Sequence, residues 1–345
     1  MPPAADALVC ARCVLPSSFP GAAFDAEGVC RLCREAPPVE RAREARAALL
    51  EKLEGVFDSH RGLGPYDAIV AFSGGKDSSY TLMALVERFR LRCLAVTIDN
   101  GFIAPGASEN LRAVTAALGV DWVLYRPAPA FMRRVYATSA KGGVHGRLAL
   151  TRASATCNSC IALINDHMVK TALEKGVAVV AGGYIGGQVP PDAAVLEIDL
   201  DVFSRFRADA QRRYVAHFGD EARGHYGIPD ELVRAARVRK LSIVNPMLAL
   251  GVPESEILRA IEALGWKRTH DTGKNSTNCL LNDLGVRLHV EREGFHPYAM
   301  EVAEQVRSGL MTREDGLAKL SGVPRREDVA EQARAIGFEW PDDGG

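Results

Sequence analysis

The sequence predicts a doubly wound, parallel α/β sheet with a small cysteine-rich module before it and a helical region after it. From about residue 65, short apolar runs alternate with helical stretches, which is the pattern of βαβ units. A glycine-rich turn joins the first run to the first helix, and polar residues follow the ends of later runs. Ligands of such sheets bind beyond the carboxyl ends of the strands, so these segments are expected to converge on one rim.

The apolar runs predict strands at 68–72, 93–98 and 177–181, with a weaker strand at 122–125. Helices are predicted between them at 108–118 and 161–174. After about residue 190 the alternation weakens, and helical patterns follow at 201–218, 229–240, 254–264, 298–308 and 313–320. The predicted units are a zinc ribbon (1–36), a linker helix (37–64), the sheet domain (65–200) and a helical C-terminal substrate region (201–345).

The glycine-rich turn has the composition of a phosphate-binding loop. It consists of Ser73, Gly74, Gly75, Lys76, Asp77, Ser78 and Ser79. Two glycines let the backbone approach an anion, the following helix points N–H groups at it, and the lysine and serines add donors. The spacing is not that of the Walker loop. An ordinary Gly-Ser turn is the alternative, which the strand before and the helix after disfavour.

Residues at other strand ends are expected to complete this rim. Asp99 follows the second strand, where it can meet a ribose or an adenine or serve as an ordinary turn residue. Gly182 and Gly183 follow the strand at 177–181. Asp77 can help to hold Mg²⁺ against a departing pyrophosphate, or it can be an ordinary carboxylate at a helix start.

The N-terminal cysteines have the spacing of a metal site. Cys10 and Cys13 form one C-x-x-C pair, and Cys30 and Cys33 form a second pair after sixteen intervening residues. Four thiolates at this spacing can bind Zn²⁺ tetrahedrally, and a four-thiolate iron site is the alternative. So small a unit cannot bury enough apolar surface alone, so the metal is expected to supply much of its folding free energy.

Cys157, Cys160 and Cys279 form a second candidate group. The first two are a C-x-x-C pair at a predicted helix start, where the pKa of a thiol is expected to fall. Cys279 follows a polar loop at 269–278, long enough to fold back over the rim. Three cysteine ligands would leave one iron of a [4Fe–4S] cluster open to sulfide. A redox or persulfide pair and plain structural cysteines are the alternatives, and Cys93 is expected in the core.

Composition limits the classes of partner. The net charge of −1 gives no overall attraction to nucleic acid or to an anionic membrane. The stretch 205–240 holds nine Arg or Lys against five Asp or Glu, and it is read as a solvated helical face or a polyanion site. Segment 141–147 is a basic loop that can close over a substrate or remain solvated. Residues 1–7 lack a basic start and an apolar run, and no run is long enough to span a bilayer, so a cytoplasmic protein is expected.

The loop at 73–78 resembles the SGGxDS pyrophosphate loop of the PP-loop ATP pyrophosphatases. This resemblance implies that ATP is cleaved between its α and β phosphates and that AMP passes to a carbonyl or amide oxygen of the substrate. A second nucleophile, sulfide or ammonia, then displaces AMP. The expected cofactors are ATP, Mg²⁺, Zn²⁺ and a [4Fe–4S] cluster. The expected catalytic residues are Lys76, Asp77, Cys157, Cys160 and Cys279.

Two families within this class differ in the second nucleophile. Segments 10–16, 24–33 and 278–285 resemble the N-acetyl sugar amidotransferases, which implies ammonia from a separate glutaminase subunit. The order of Cys157, Cys160 and Cys279 resembles the iron–sulfur-dependent tRNA thiolation enzymes, which implies a sulfur donor. The chain lacks their C-terminal zinc module and basic composition. Thiolation of a small molecule rather than tRNA is therefore predicted, and a homodimer is expected. The amidotransferase and a non-catalytic nucleotide-binding adaptor are the alternatives.

Overall fold

A computed structural model describes residues 8–341. Segment 1–7, for which the sequence predicts no signal peptide, and segment 342–345, the end of the predicted helical region, lie outside the described residues. Within 8–341, no helix combines the length and the apolar character that a bilayer-spanning segment requires.

One mostly parallel sheet forms the centre of the chain described by the structure. Its six strands are β1 (Ala68–Ala71), β2 (Cys93–Ile98), β3 (Asp121–Tyr125), β4 (Val179–Ala181), β5 (Val195–Asp199) and β6 (Lys240–Val244). The strand order is β3-β2-β1-β4-β6-β5, and each neighbouring pair is parallel except β5 and β6. The order reverses at β1, so the carboxyl end of β1 is the switch point at which such sheets bind ligands. The predicted doubly wound sheet is confirmed.

Helices cover both faces of this sheet. Within residues 8–341 they are α1 (Arg31–Glu35), α2 (Val39–His60), α3 (Lys76–Met83), α4 (Pro105–Leu118), α5 (Pro129–Lys141), α6 (Arg147–Leu150), α7 (Ala155–Lys175), α8 (Leu200–Phe218), α9 (Ala222–His225), α10 (Asp230–Ala235), α11 (Pro246–Leu250), α12 (Glu254–Glu262), α13 (Asn282–Glu293), α14 (Ala299–Arg307), α15 (Arg313–Leu320) and α16 (Ala330–Ile336). Ile69 of β1 packs in one core with α5 and α7, whereas Val70 packs in the other with α2 and α3. Burial on both faces explains why the central strands β1, β2 and β4 are nearly continuous apolar runs.

The sequence analysis does not predict β5 and β6. The helix predicted at 229–240 ends at Ala235, and β6 follows it at Lys240–Val244. β6 lies between β4 and β5 and pairs with both. Five residues are too few to distinguish a strand from a helix by periodicity. The sheet therefore takes a strand from beyond residue 200, where the sequence suggests a helical region; the division into domains stays a prediction.

The N-terminal cysteine module packs on the C-terminal helices. Phe19 and Phe295 make an edge-to-face contact with ring centroids 5.0 Å apart, and the same buried cluster includes Val302 and Ala303 of α14. Arg313 at the start of α15 donates hydrogen bonds from Nε to the carbonyl oxygens of Cys10 and Cys13 in the module. The N-terminal module and residues 295–320 thus share one hydrophobic core.

We expect Phe295→Ala to lower the free energy of unfolding by about 3–5 kcal/mol, because it leaves a cavity in this shared core. Phe206→Ala is the matched control, since Phe206 on α8 is 63% exposed while Phe295 is 4% exposed. The control should change stability by less than about 0.5 kcal/mol. Urea denaturation of the full chain measures both values. Equal effects of the two substitutions would show that the shared core contributes nothing particular to stability.

Candidate functional site

The candidate phosphate loop connects β1 to α3 at the carboxyl end of the central strand. Gly74 has a φ of +72°, and a Cβ at this residue would lie 2.6 Å from the carbonyl oxygen of Ala107. Both conditions require glycine. Gly75 precedes α3 with extended backbone, so the first N–H groups of the helix open toward the loop. This is the backbone arrangement of an anion site at a helix N-terminus.

The serines of the loop differ in their surroundings. Ser78 Oγ accepts a hydrogen bond from Ser73 N at 3.2 Å and donates one to the Gly75 carbonyl oxygen at 3.1 Å. Ser79 is fully buried, and its hydroxyl has no hydrogen-bond partner within residues 8–341. Ser73 and Ser78 therefore shape the loop, whereas Ser79 lies in the interior.

Lys76 is held by carboxylates from two elements. Its Nζ lies 2.8 Å from Asp77 Oδ1 and 3.6 Å from Oε2 of Glu254, the first residue of α12. Burial favours the neutral amine, but the two carboxylates outweigh it and hold the pKa of Lys76 above its ordinary value. Burial likewise opposes the charge on Glu254, but Lys76 and Lys319 outweigh it and lower the pKa of Glu254 to about 2. A charged lysine with two carboxylates beside it therefore borders the loop.

A segment from the C-terminal part of the chain, residues 266–279, lies against the loop and is called the cover segment below. Trp266 Nε1 donates a hydrogen bond to the Gly74 carbonyl oxygen at 2.9 Å. Thr277 Oγ1 accepts a hydrogen bond from Lys76 N at 3.1 Å. The polar loop predicted to fold back over the rim thus contacts the phosphate loop directly, and Trp266 adds a contact that the sequence analysis does not identify.

The remaining predicted rim residues lie at the ends of β4 and β2. Gly182 and Gly183 follow β4, and a Cβ on Gly183 would be 3.1 Å from Ser78 Cα, so glycine permits this close approach. The Asp99 carboxylate accepts a hydrogen bond from a backbone N–H two residues on and lies 3.4 Å from Arg126 Nε. Asp99 is thus engaged in a turn and an ion pair, and its contact with a nucleotide stays a prediction.

The structure brings Cys157, Cys160 and Cys279 into one half-buried group. Cys157 and Cys160 are three residues apart in the first turn of α7. Burial, followed by the nearby charges of Cys157 and Cys160, raises the pKa of Cys279 to about 12. Asn100, just after β2, donates a hydrogen bond from Nδ2 to Cys160 Sγ at 3.5 Å. The group therefore lies at the same edge of the sheet as the phosphate loop.

The expectation that the helix start lowers the thiol pKa values is wrong. Burial raises the pKa of Cys157, and the hydroxyl of Ser154 offsets this only in part. Burial also raises the pKa of Cys160, against smaller opposite effects of Tyr136 and Asn100. The two cysteines are half-buried, and desolvation of their sulfurs outweighs the effect of the helix terminus on the pKa. Such thiols become thiolates only when a metal group takes the place of the proton.

The spread of these three sulfurs fits a multi-iron group better than a single ion. A single ion would bring its ligand atoms within 4.8 Å of one another. Among the described residues, one set of three or more His, Cys, Asp or Glu side chains meets this condition. Cys157, Cys160 and Cys279 do not belong to that set. Two sulfurs on one tetrahedral zinc are about 3.8 Å apart, given a Zn–S distance of about 2.3 Å. A cluster distributes its cysteines over several irons. The residues present are compatible with [4Fe–4S] ligation.

The N-terminal cysteines form that compact set. The Sγ atoms are 3.8 Å apart in both the Cys10–Cys33 and the Cys13–Cys30 pair, which matches the spacing on one tetrahedral ion. All four side chains are buried. Burial raises the pKa of Cys10, but backbone N–H groups, including those of Arg12 and Cys30, outweigh it and lower that pKa to about 6. This is a metal-binding four-cysteine cluster.

Helix α14 contacts the surroundings of both sites. Arg307 at its end donates a hydrogen bond from Nη1 to Cys13 Sγ at 3.7 Å. Glu301, buried near its start, accepts one from Gln188 Nε2 at 2.9 Å, and its carboxylate interacts with the charge of Lys76. One helix thus connects the cysteine cluster to the phosphate loop.

The basic stretch at 205–240 is largely neutralised by local acids. Six of its nine basic side chains form ion pairs within the described residues: Arg207, Arg212, Arg223, Arg234, Arg239 and Lys240. Arg207 is buried against Asp166, with a bidentate contact of 2.6 and 2.7 Å. The stretch therefore does not present a continuous positive face of the kind that polyanions bind.

The chain is similar to one known sequence and to two solved structures described here. No protein-family model matches the chain. An uncharacterised protein of Methanocaldococcus jannaschii is 25% identical over 280 residues, which cover 80% of each chain. Among solved structures, the chain is similar to the U34-tRNA thiolase NcsA from Methanococcus maripaludis with its [4Fe-4S] cluster. The sequence identity is 14%, the match covers 97% of this chain and 99% of that chain, and the TM-score is 0.37. It is also similar to NMN synthetase from Francisella tularensis, at 12% identity over 77% and 95% of the two chains, with a TM-score of 0.29.

We expect Trp266→Phe to loosen the phosphate loop, because it leaves the Gly74 carbonyl oxygen without its buried donor. The free energy of unfolding should fall by about 1–3 kcal/mol, and amide hydrogen exchange of residues 74–77 should become faster. Trp340→Phe is the matched control, since it removes the same donor from a half-buried contact with Glu291. Unchanged exchange in the Trp266→Phe protein would mean that the cover segment does not hold the loop.

Proposed function

We propose that the protein transfers AMP from ATP to a carbonyl or amide oxygen of a small molecule, releases pyrophosphate and replaces that oxygen with sulfur. One observation carries the proposal. Thr277 accepts a hydrogen bond from Lys76 N, and Cys279, two residues on, belongs to the group with Cys157 and Cys160. Two residues of chain span at most about 7 Å. A substrate activated at the phosphate loop would therefore lie near the cysteines.

In the first step, the substrate oxygen attacks the α-phosphorus of ATP. The bond from this phosphorus to the bridging oxygen breaks, and pyrophosphate leaves with the electron pair. Lys76 and the N–H groups at the start of α3 would stabilise the developing negative charge. Asp77 and Glu254 would hold Mg²⁺, which offsets charge on the departing pyrophosphate.

In the second step, hydrosulfide replaces the activated oxygen. An adenylated amide has lost its N–H proton and carries a carbon–nitrogen double bond. Hydrosulfide adds to that carbon, the carbon–oxygen bond breaks, and AMP leaves with the electron pair. The proton of the hydrosulfide returns to the nitrogen, so the product is a thioamide and no oxidant or reductant is consumed. The partner that this chemistry requires is a donor of sulfide.

Cys157, Cys160 and Cys279 are assigned as the ligands of a [4Fe–4S] cluster. Three cysteines would hold the cluster, which would supply a site for the incoming sulfide. Asn100 donates to one ligand sulfur, as outer groups around metal ligands commonly do. The chain therefore contributes the ligand sulfurs and their orientation.

The N-terminal cluster is assigned to a structural Zn²⁺. Four buried thiolates around one ion leave no open position for a substrate. The ion would supply folding free energy to a module that shares its core with α14.

A small substrate is favoured over tRNA by the distribution of charge. The net charge is −1, and most of the basic stretch is engaged in ion pairs. Binding of a folded nucleic acid uses many unpaired lysines and arginines that contact phosphates.

We expect Lys76→Ala to reduce pyrophosphate release from ATP by at least about a hundredfold, because it removes a preorganised charge beside the reacting phosphates. A coupled pyrophosphate assay measures the rate. Lys240→Ala is the control, because Lys240 is 69% exposed at its side chain and lies on β6, near the sheet edge. Its rate should equal that of the parent protein. Release at the parent rate by the Lys76→Ala protein would remove the loop from the reaction.

We expect the two cysteine groups to hold different metals. The Cys157→Ala, Cys160→Ala, Cys279→Ala triple variant should lose its iron and retain zinc, while Cys13→Ala should lose zinc and retain iron. Anaerobic purification with elemental analysis of the full chain measures both, and each variant serves as the control for the other. The triple variant should still bind ATP. Normal iron content in that variant would exclude the cluster, and thiolated product made without iron would exclude its role.

A further inference from the structure

A second recess, to which no role is assigned above, lies beside the start of α7. It has a volume of about 270 Å³, near the lower end for small-ligand cavities. Its walls come from the end of α5, the basic loop at 142–146, the start of α7 and one face of α13. None of its lining residues belongs to the phosphate loop or the cover segment. It is therefore a separate cavity, and its lining includes part of the segment 141–147 that the sequence singles out.

The inner wall of the cavity is polar but uncharged. His289 of α13 lines it and is 4% exposed, and its Nε2 has no hydrogen-bond partner among the described residues. His145 Nε2 lies 2.7 Å from Ser159 Oγ, which also lies 2.7 Å from Ser139 Oγ. Burial lowers the pKa of His145 and of His289 to about 4, so both imidazoles are neutral near pH 7. Such a wall can exchange hydrogen bonds with an uncharged polar ring or amide.

The rim of the cavity carries a net positive charge. Lys141 and Arg292 are both exposed at the rim, and neither forms an ion pair or a hydrogen bond through its side chain within residues 8–341. Glu293 is the acidic residue in the lining. Two cations against one carboxylate favour a ligand with a net negative charge, and repel an ammonium ion. The apolar side chains of Leu150 and Leu288 fill part of the remaining wall.

The cavity borders the turn that carries two of the candidate cluster ligands. Thr156 lines the cavity, and Cys157 is the next residue. Ser159 holds His145 in the wall, and Cys160 is again the next residue. Residues three apart lie on one helix face, so the pair 156 and 159 and the pair 157 and 160 form adjacent stripes of α7. A ligand in the cavity would therefore lie against the part of α7 that carries Cys157 and Cys160, on the neighbouring stripe of the helix.

We propose that this cavity binds the acceptor substrate and that the acceptor is a ring-sized molecule with an uncharged polar body and one carboxylate or phosphate group. The proposal rests on the thiolation chemistry proposed above, because it gives the small substrate of that reaction a site. Lys141 and Arg292 hold the anionic group at the rim. His289 and the hydroxyl groups of Ser139 and Thr156 hydrogen-bond the body. The size of the cavity excludes a nucleic acid chain from it.

The test uses two anionic probes and one neutral probe of the same ring size: benzoate, phenyl phosphate and benzyl alcohol. Each is titrated into the full chain labelled with ¹⁵N-histidine, and the His145 and His289 imidazole signals are followed by NMR. At least one anion should shift the His289 signal saturably, and benzyl alcohol should not. Saturation by benzoate alone identifies a carboxylate as the anionic group, and saturation by phenyl phosphate alone identifies a phosphate.

Variants locate the binding site. Lys141→Gln and Arg292→Gln should each raise the Kd of the anion at least tenfold, whereas the control Arg112→Gln on α4 should leave it unchanged. The Lys76→Ala protein should bind the probe like the parent, so loss of pyrophosphate release and loss of probe binding are separable. Absence of saturation by both anions, an equal response to benzyl alcohol, or an unchanged Kd in both cavity variants would overturn the proposal. Any of these results together with normal pyrophosphate release would leave the proposed function standing without this site.

Discussion

The hydrogen bond from Lys76 N to the Thr277 hydroxyl is the contact on which the candidate site depends. It ties a helix start at the centre of the sheet to a segment that lies about two hundred positions later in the chain. The same segment provides the Trp266 donor to the loop and, at its other end, Cys279. Without this attachment the loop would still bind an anion, but the third cysteine would have no fixed position relative to it.

Electrostatics at the two cysteine groups and at the loop follow one rule: burial opposes every charge, and a specific partner decides the outcome. Lys76 stays charged because Asp77 and Glu254 are close. Cys10 gains acidity from backbone N–H groups that point at its sulfur. Cys157 and Cys160 have weaker partners, so burial prevails and their thiols hold their protons. In the proposed function, the [4Fe–4S] cluster is the partner of this second group.

Features of the fold that are local in sequence could be predicted, and features that depend on distant contacts could not. The strand, glycine turn and helix around Gly74 follow one another in the chain, and the two cysteines of each C-x-x-C pair are only three positions apart. β6 could not be predicted, because five residues show no clear hydrophobic periodicity and its pairing with β4 and β5 joins segments distant in the chain. The contacts of Glu254 and Trp266 with the phosphate loop could not be predicted. An acidic helix start and a buried tryptophan are common features, and only the tertiary structure brings these two residues to the loop. Of the cavity beside His289, the sequence indicates only the loop at 141–147, because elements distant in the chain build the other walls.

Helix α14 connects the N-terminal module to the surroundings of the candidate phosphate loop. Its Arg307 reaches a metal-ligating sulfur, while Glu301, less than two turns earlier, lies in the electrostatic field of Lys76. An evolutionary exchange of the module between related proteins would therefore have to carry α14 with it. The covariation that such a history leaves should link the surroundings of Cys13 to those of Glu301, although the two lie almost three hundred residues apart in the chain.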